Sequence, residues 1–98
     1  RAPADTVMAL ALIHHLAISN NLPLSRIAEF LAKICKYLII EFVPKSDSQV
    51  QKLLSSRPDI FPDYHVEGFE KAFSKYFSKV ARQSILETQR ILYLYKVK

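Results

Sequence analysis

Glycine is almost absent from this sequence. Gly68 is the single glycine in 98 residues, whereas average usage near 7% would give about seven. Phosphate-binding loops and dinucleotide fingerprints need several glycines at fixed spacing. The sequence therefore excludes a glycine-based phosphate or dinucleotide site within these residues.

Cysteine is equally scarce, and long apolar runs are missing. Cys35 is the only cysteine, which excludes an internal disulfide and metal sites built on paired cysteines. The longest continuous apolar run, residues 7–13, ends at His14 and is shorter than the roughly 18 residues that a membrane span needs. The opening residues lack the layout of a secretory signal. We therefore expect a soluble cytoplasmic chain without a membrane partner, cut at Arg1 from a longer protein.

The basic excess is spread along the chain. The net charge is +5 and the pI is near 9.5, which raises the question of nucleic-acid binding, because phosphate contacts need clustered lysine and arginine. Here the basic residues from Arg26 to Arg90 stand mostly near acidic neighbours. We favour a solvated surface, and a nucleic-acid face is the less favoured alternative.

A helix followed directly by a strand is predicted in the first half. The apolar residues of 23–36 recur at intervals of three and four and form one stripe. Pro23 stands where a helix tolerates proline, and Cys35 falls on the stripe as inert packing. Residues 37–43 are β-branched and aromatic and stop at Pro44, which is typical of a buried strand.

The apolar run at residues 5–13 fits a buried strand and a buried helix equally well. Its alanine, leucine and methionine favour a helix, whereas a parallel strand covered on both faces is also continuously apolar. As a strand, it would complete a strand–helix–strand unit with parallel pairing.

The second half predicts two more helices and a hairpin. Residues 48–56 carry a short apolar face, and 57–64 form a loop with two prolines. Residues 65–77 carry an aromatic stripe, which we interpret as core packing. The runs 79–87 and 90–97 are joined by a short link and predict an antiparallel hairpin. Together the segments predict an α/β fold with about four strands and three helices.

Polar residues at the ends of the predicted strands are the candidate site. His14 and His15 follow the first apolar run, and ligands of open parallel sheets bind outside the carboxyl ends of the strands. Imidazoles also titrate near neutral pH. Glu41 is an acid in an apolar strand, so it must be paired or face a cleft, and Pro44 lines the same rim. The alternatives are backbone capping by the histidines and pairing of Glu41 with a basic residue; no metal site is predicted.

Three segments resemble the second half of a class I S-adenosylmethionine-dependent methyltransferase. They are ADTVMALALIHHL at residues 4–16, IAEFL at 27–31 and LIIEFVPK at 38–45, and they are similar in particular to a bacterial branch that includes proteins described as nodulation proteins. The resemblance implies that the first run is the fourth strand of a seven-stranded Rossmann-like sheet. It also implies that the terminal hairpin is the sixth and seventh strands, the seventh lying antiparallel between the fifth and sixth. For this reason we favour a strand at residues 5–13.

The resemblance further implies roles for individual residues. Those implied at the cofactor, S-adenosylmethionine, are Leu10, Ala11 and Leu12. Those implied at the acceptor are His14, His15, Glu41 and Pro44. A histidine there would take a proton from the nucleophile during methyl transfer or only orient the acceptor. The family's glycine-rich loop and ribose-binding acid would lie upstream of Arg1, so we expect an inactive C-terminal half, a small-molecule acceptor, and the N-terminal half of the same protein as partner.

Two other interpretations stay open at this point. In the first, residues 5–17 form a helix and the terminal hairpin is the wing of a nucleic-acid-binding module. In the second, the chain is a scaffold and all cofactor chemistry lies in the other half. Strand order separates the first of these from the methyltransferase interpretation.

Overall fold

The computed structural model describes residues 4–56 and 58–98. Residues 1–3 and Arg57, on which the expected cut and the start of the predicted loop fall, lie outside the described residues. In chain order the elements are β1 (Ala4–Ala9), a π-helical turn (His15–Ser19), α1 (Leu24–Ile34), β2 (Cys35–Phe42), α2 (Ser48–Leu54), α3 (Val66–Ser74), β3 (Phe77–Ser84) and β4 (Ile91–Val97). Among the described helices, none has the length and apolar character to cross a membrane.

The four strands form one mixed sheet in the order β1-β2-β4-β3. β1 and β2 are parallel, with Val7 opposite Leu38, and β4 lies antiparallel between β2 and β3. The fold is therefore α/β with a partial Rossmann-like sheet. The predicted first strand, parallel pairing and inserted last strand are confirmed. The helix over residues 5–17 with a hairpin wing is wrong, because residues 4–9 are a strand and the hairpin belongs to the sheet.

α1 runs into β2 without a loop. Leu24, Ile27 and Leu31 are buried on its apolar stripe, since residues at this spacing share one helix face. Cys35, next to Ile34, already has extended dihedrals, φ −148° and ψ 163°. The prediction that Cys35 belongs to the helix is therefore wrong: it opens β2, where its thiol donates to the Leu31 carbonyl oxygen at 3.1 Å.

α3 packs its aromatic stripe on one face of the sheet. The Phe69 ring lies 5.0 Å from the rings of Phe42 and Tyr93, and Phe73 stacks on Tyr95 at 5.7 Å between centroids. Aromatic pairs at these separations contribute about 0.5–1.5 kcal/mol each beyond the area they bury. The interpretation of this stripe as core packing is confirmed.

The single glycine lies inside α3. The helix backbone approaches the preceding loop so closely that a Cβ on Gly68 would overlap the carbonyl oxygen of Asp63. The Gly68 amide donates to His65 Nδ1 at 2.9 Å, so His65 caps the start of α3. This histidine is accounted for by the helix.

The opposite face of the sheet carries an apolar row that we call the open-face row. Met8, Ile39, Leu94 and Ala81 stand opposite one another across the four strands. Met8 is 63% exposed, and Ile39 and Leu94 are half-buried. β1 is an edge strand of the sheet. The expectation that β1 is covered on both faces is wrong, because its second face lies on this exposed side.

The first apolar run is also shorter as a strand than predicted. β1 ends at Ala9, and the chain turns at Leu10 and Ala11. A helical segment then starts at Ile13 and continues into the π-helical turn. His14 therefore lies in a helical segment, and four residues, 10–13, separate it from the end of β1. The prediction that the histidine pair stands at the end of the strand is corrected accordingly.

Candidate functional site

Five residues meet at the carboxyl ends of β1 and β2. Parallel strands share the edge at which they end, and the antiparallel β4 begins at the same edge, with its first residue opposite the last of β2. The residues are Ala11, His14, Glu41, Asp47 and Arg90. We call them the edge cluster. It joins four separate stretches of the chain.

Ala11 forms the turn that follows β1. Its φ of 53° is in the left-handed region, which costs a residue with a Cβ about 1–2 kcal/mol. The Ala11 amide donates to Glu41 Oε1 at 2.8 Å. This charge-assisted hydrogen bond from β2 offsets the cost of the turn.

Glu41 is paired with Arg90, as one of the two interpretations of this buried acid predicted. The Arg90 Nη1 atom lies 3.4 Å from Glu41 Oε1. Arg90 also donates to Asp47, from Nε to Oδ2 at 2.8 Å and from Nη2 to Oδ1 at 3.1 Å. The exposed fractions of the three side chains are 11% for Glu41, 14% for Asp47 and 22% for Arg90.

The pairing changes the proton affinity of both partners. The hydrogen bonds from Arg90 hold the pKa of Asp47 below its ordinary value, although burial opposes this. The same bonds raise the pKa of Arg90. Asp47 is an anion and Arg90 a cation throughout the physiological range, so the edge cluster has fixed charges around His14.

Asp47 has a second role at the start of α2. Its Oδ1 accepts from the Gln49 amide at 2.9 Å, as a helix N-cap does, and its own amide donates to the Pro44 carbonyl oxygen at 3.0 Å. The carboxylate therefore fixes the loop after β2 and the guanidinium before β4 at once. Pro44 is half-buried in that loop.

The two adjacent histidines have different environments. His14 is 1% exposed, whereas His15 is exposed, and their ring centroids are 4.2 Å apart. Burial lowers the pKa of His14 to about 4, helped by the neighbouring His15 and Arg90 and opposed by Asp47. His14 is therefore a neutral imidazole at pH 7, and its buried Nδ1 has no hydrogen-bond partner among the described residues.

The residues implied at the cofactor lie in the turn beside this cluster. Leu10 is 51% and Leu12 39% exposed, on either side of Ala11. Two apolar side chains are thus presented to solvent at the carboxyl edge. The Leu12 carbonyl oxygen accepts from the His15 amide at 3.0 Å, so the same turn leads directly into the histidine pair.

An open depression of about 440 Å³ lies next to the edge cluster. Its lining is polar and comes from the loop before α2 and the link between β3 and β4. The lining residues are Ser46, Asp47, Glu87, Thr88 and Gln89. Asp47 thus belongs both to the edge cluster and to the wall of a space that a small polar molecule could enter.

Sequence reasoning missed Arg90 as a site residue. Nothing in the sequence distinguishes Arg90 from the other scattered basic residues, because its partners are 43 and 49 positions away. Tyr64 was also missed; its hydroxyl donates to the Val43 carbonyl oxygen at the end of β2, and burial raises its pKa. Within residues 4–56 and 58–98 there is no group of His, Cys, Asp and Glu side chains arranged to hold a metal ion.

Comparison with known proteins gives a relative by sequence and solved structures with a similar fold. No family model matches the chain. Nodulation protein NoeA of Rhizobium meliloti (strain 1021) is 42% identical over 96 residues, which cover 98% of this chain and 20% of that protein. This chain therefore spans about a fifth of the length of that relative.

One such solved structure is described as the crystal structure of monomeric WbdD. It matches with a TM-score of 0.56 at 20% identity and covers 94% of this chain and 19% of that chain. At this identity the likeness concerns the fold alone. The chain is thus similar in sequence to one part of a nodulation protein, and its four-stranded mixed sheet recurs within a much longer chain.

Proposed function

We propose that these residues are the C-terminal half of an S-adenosylmethionine-dependent methyltransferase domain, which transfers a methyl group to a small-molecule acceptor as part of a longer cytoplasmic protein. The observation that carries the proposal is the strand order β1-β2-β4-β3, with β1 parallel to β2 and β4 inserted antiparallel. That order is the one implied by the resemblance to class I methyltransferases. The identity of 42% to a nodulation protein supports the branch that the resemblance indicated.

The residues at the carboxyl edge fit one side of a cofactor site. Leu10 and Leu12 are exposed there and would contact the apolar parts of S-adenosylmethionine. The Ala11 amide is already bonded to Glu41, so the contact from this turn is apolar packing and not a hydrogen bond from Ala11. The bound cofactor supplies an electrophilic methyl group; the remaining contacts would come from the preceding half of the domain.

His15 is the histidine that can exchange a proton with an acceptor. His15 is exposed beside the turn, whereas His14 is buried and its pKa is lowered to about 4. A base with so low a pKa removes protons poorly at neutral pH. We assign proton removal to His15, orientation of the His15 ring to His14, and acceptor contact to Pro44 and the polar depression at Asp47.

The test is isothermal titration of S-adenosylhomocysteine into this chain and into the longer protein that contains it. We expect binding by the longer protein and none by the 98 residues alone, because half of the contacts are missing. Leu12→Asp should weaken binding by the longer protein about ten-fold or more, since it places a charge against an apolar part of the ligand. Leu86→Asp, at a leucine that is 87% exposed on the β3–β4 link, is the matched control.

Three outcomes are distinct. Binding by the longer protein that is lost in the Leu12 variant and kept in the Leu86 variant supports the proposal. If both variants of the longer protein bind as tightly as the wild type, this chain is only a scaffold. Failure of the longer protein to bind at all would contradict the methyltransferase function.

A further inference from the structure

We infer that Glu41 is a positioning residue that holds the Ala11 turn in the shape in which Leu10 and Leu12 face the cofactor, and that it does not contact the acceptor. This rests on the proposed function for the identity of the ligand. The hydrogen bond between the Ala11 amide and Glu41 Oε1, 2.8 Å long and spanning 30 positions of sequence, rests on the structure alone.

The first reason is the backbone of Ala11. With φ at 53° it occupies a conformation that residues with a Cβ rarely adopt. Within the described residues, the amide of this strained position bonds to the carboxylate of Glu41. A turn that has no glycine to relax it depends on an outside group to keep it in place.

The second reason is that Glu41 is largely buried and that its Oε1 already has two partners. It stands on β2, between the parallel β1 and the antiparallel β4, where it is opposite Leu92. Only 11% of its side chain is exposed. Oε1 takes both the Ala11 amide and the Arg90 guanidinium, so an acceptor could reach this oxygen only by breaking the turn.

The third reason is that the carboxylate is itself anchored. Arg90 lies against Glu41 and is held from the other side by two hydrogen bonds to Asp47. Because both oxygens of Asp47 are engaged, Arg90 cannot swing away from Glu41 without losing them. The anchor reaches from the start of α2 through Arg90 and Glu41 to the turn after β1.

The first experiment measures amide hydrogen exchange at Ala11 by NMR in the 98-residue chain. Glu41→Ala should speed exchange at Ala11 about ten-fold or more, the range expected for loss of a hydrogen bond to a charged group. Glu41→Gln keeps an oxygen acceptor and should give a smaller increase. Glu70→Gln is the matched control, because Glu70 is a half-buried acid bonded to Tyr93 on the other side of the sheet. Unchanged exchange in both Glu41 variants would overturn the inference.

The second experiment measures S-adenosylhomocysteine affinity in the longer protein. Glu41→Gln should raise the Kd several-fold, and adding Ala11→Gly should recover most of that loss, since glycine adopts positive φ without a steric cost. A merely structural role for Glu41 would not respond to the change at position 11. Equal losses with and without Ala11→Gly would therefore overturn the inference, even if Glu41→Gln weakens binding.

The two failures can be told apart. If the wild-type longer protein binds no S-adenosylhomocysteine, the proposed function is wrong. In that case only the amide exchange at Ala11 tests whether Glu41 stabilises the turn. If the wild type binds and Glu41→Gln binds equally well, the function stands and this inference is overturned. Loss in Glu41→Gln with recovery by Ala11→Gly supports both.

Discussion

Asp47 and Arg90, 43 positions apart in the sequence, are joined by two hydrogen bonds between one carboxylate and one guanidinium, at 2.8 and 3.1 Å. Paired forks of this kind fix direction as well as distance. The contact ties the loop before α2 to the residue before β4, and Glu41 lies on the free side of the guanidinium. One arginine thus pairs with two largely buried acids.

Removal of this arginine should destabilise the chain. Arg90→Ala leaves Glu41 and Asp47 close together and largely buried without a cation, and we expect a loss of about 2–3 kcal/mol in the free energy of unfolding. Urea denaturation followed by circular dichroism measures it. Lys36→Ala is the control, because its pair with Asp5 is exposed and such pairs contribute about 0–1 kcal/mol. Similar losses in the two variants would contradict the importance of the edge cluster.

Acid should destabilise the fold in two separate steps. His14 has its pKa lowered from 6.5 to about 4 by burial, so the unfolded chain takes up a proton before the folded chain does. The contribution of His14 to the free energy of unfolding is complete above pH 6.5. It is lost as the pH falls towards 4, a change of about 3 kcal/mol. The lowered pKa of Asp47 gives a contribution present above 3.8 that is lost only at lower pH.

Denaturation curves from pH 8 to pH 3 test this order. His14→Gln should remove the step between pH 6.5 and 4, whereas His15→Gln, at the exposed neighbour, should keep it. A wild-type stability that does not change between pH 7 and 4.5 would mean that His14 is not buried as a neutral group.

Two neighbouring tyrosines should respond in opposite ways to loss of the hydroxyl. The Tyr95 hydroxyl is buried without a partner among the described residues, whereas the Tyr93 hydroxyl donates to Glu70 Oε2. Tyr95→Phe should be neutral or stabilise by about 1 kcal/mol, because a buried unpaired polar group carries a desolvation cost. Tyr93→Phe should cost about 1–2 kcal/mol, since it removes a bond to a charged group. Thermal melts of the two variants make the comparison, and equal shifts would show that both hydroxyls have partners.

A substitution of Met8, on the open-face row, should affect the stability of the short chain and of the longer protein differently. At 63% exposure, Met8→Lys should change the stability of the 98 residues by about 0.5 kcal/mol or less, and it should reduce association through the bare edge of β1. If the proposed N-terminal half covers this face, the same substitution in the longer protein should cost about 3 kcal/mol or more.

Val80→Lys serves as the control for that comparison. Val80 is 55% exposed on β3, the opposite edge strand. Its substitution should have a small effect on the stability of both proteins. Small effects at both positions in both proteins would contradict the proposal that these residues are one half of a larger domain. Sedimentation velocity of the short chain measures its association directly.

Much of the fold could be predicted because periodicity reports which residues share a face. The apolar stripe of α1 was identified correctly, since it has one dominant period. The run at residues 5–13 could not be divided by periodicity: it changes from strand to turn to helix without a break in hydropathy. The left-handed turn at Ala11 gave no signal either, because no glycine marks it.

The candidate site could be predicted only in part. Glu41 stood out because an acid in an apolar strand needs a partner, and its pairing was anticipated. The identity of that partner was not, because a contact across 49 positions depends on strand order. The sequence gives no reason to distinguish the two adjacent histidines. They differ in burial, since His14 is buried and His15 is exposed.

Because α1 ends at Ile34 and β2 begins at Cys35, no loop residue between them can absorb a change in chain length. A single inserted residue would turn every side chain of β2 to the other side of the sheet. Leu38, Ile40 and Phe42 would then face the exposed side, while Glu41 would point into the aromatic core. Variation in length among relatives should therefore be accommodated in the loops around residues 20–23 and 58–64, and the helix-to-strand junction should keep a constant number of residues.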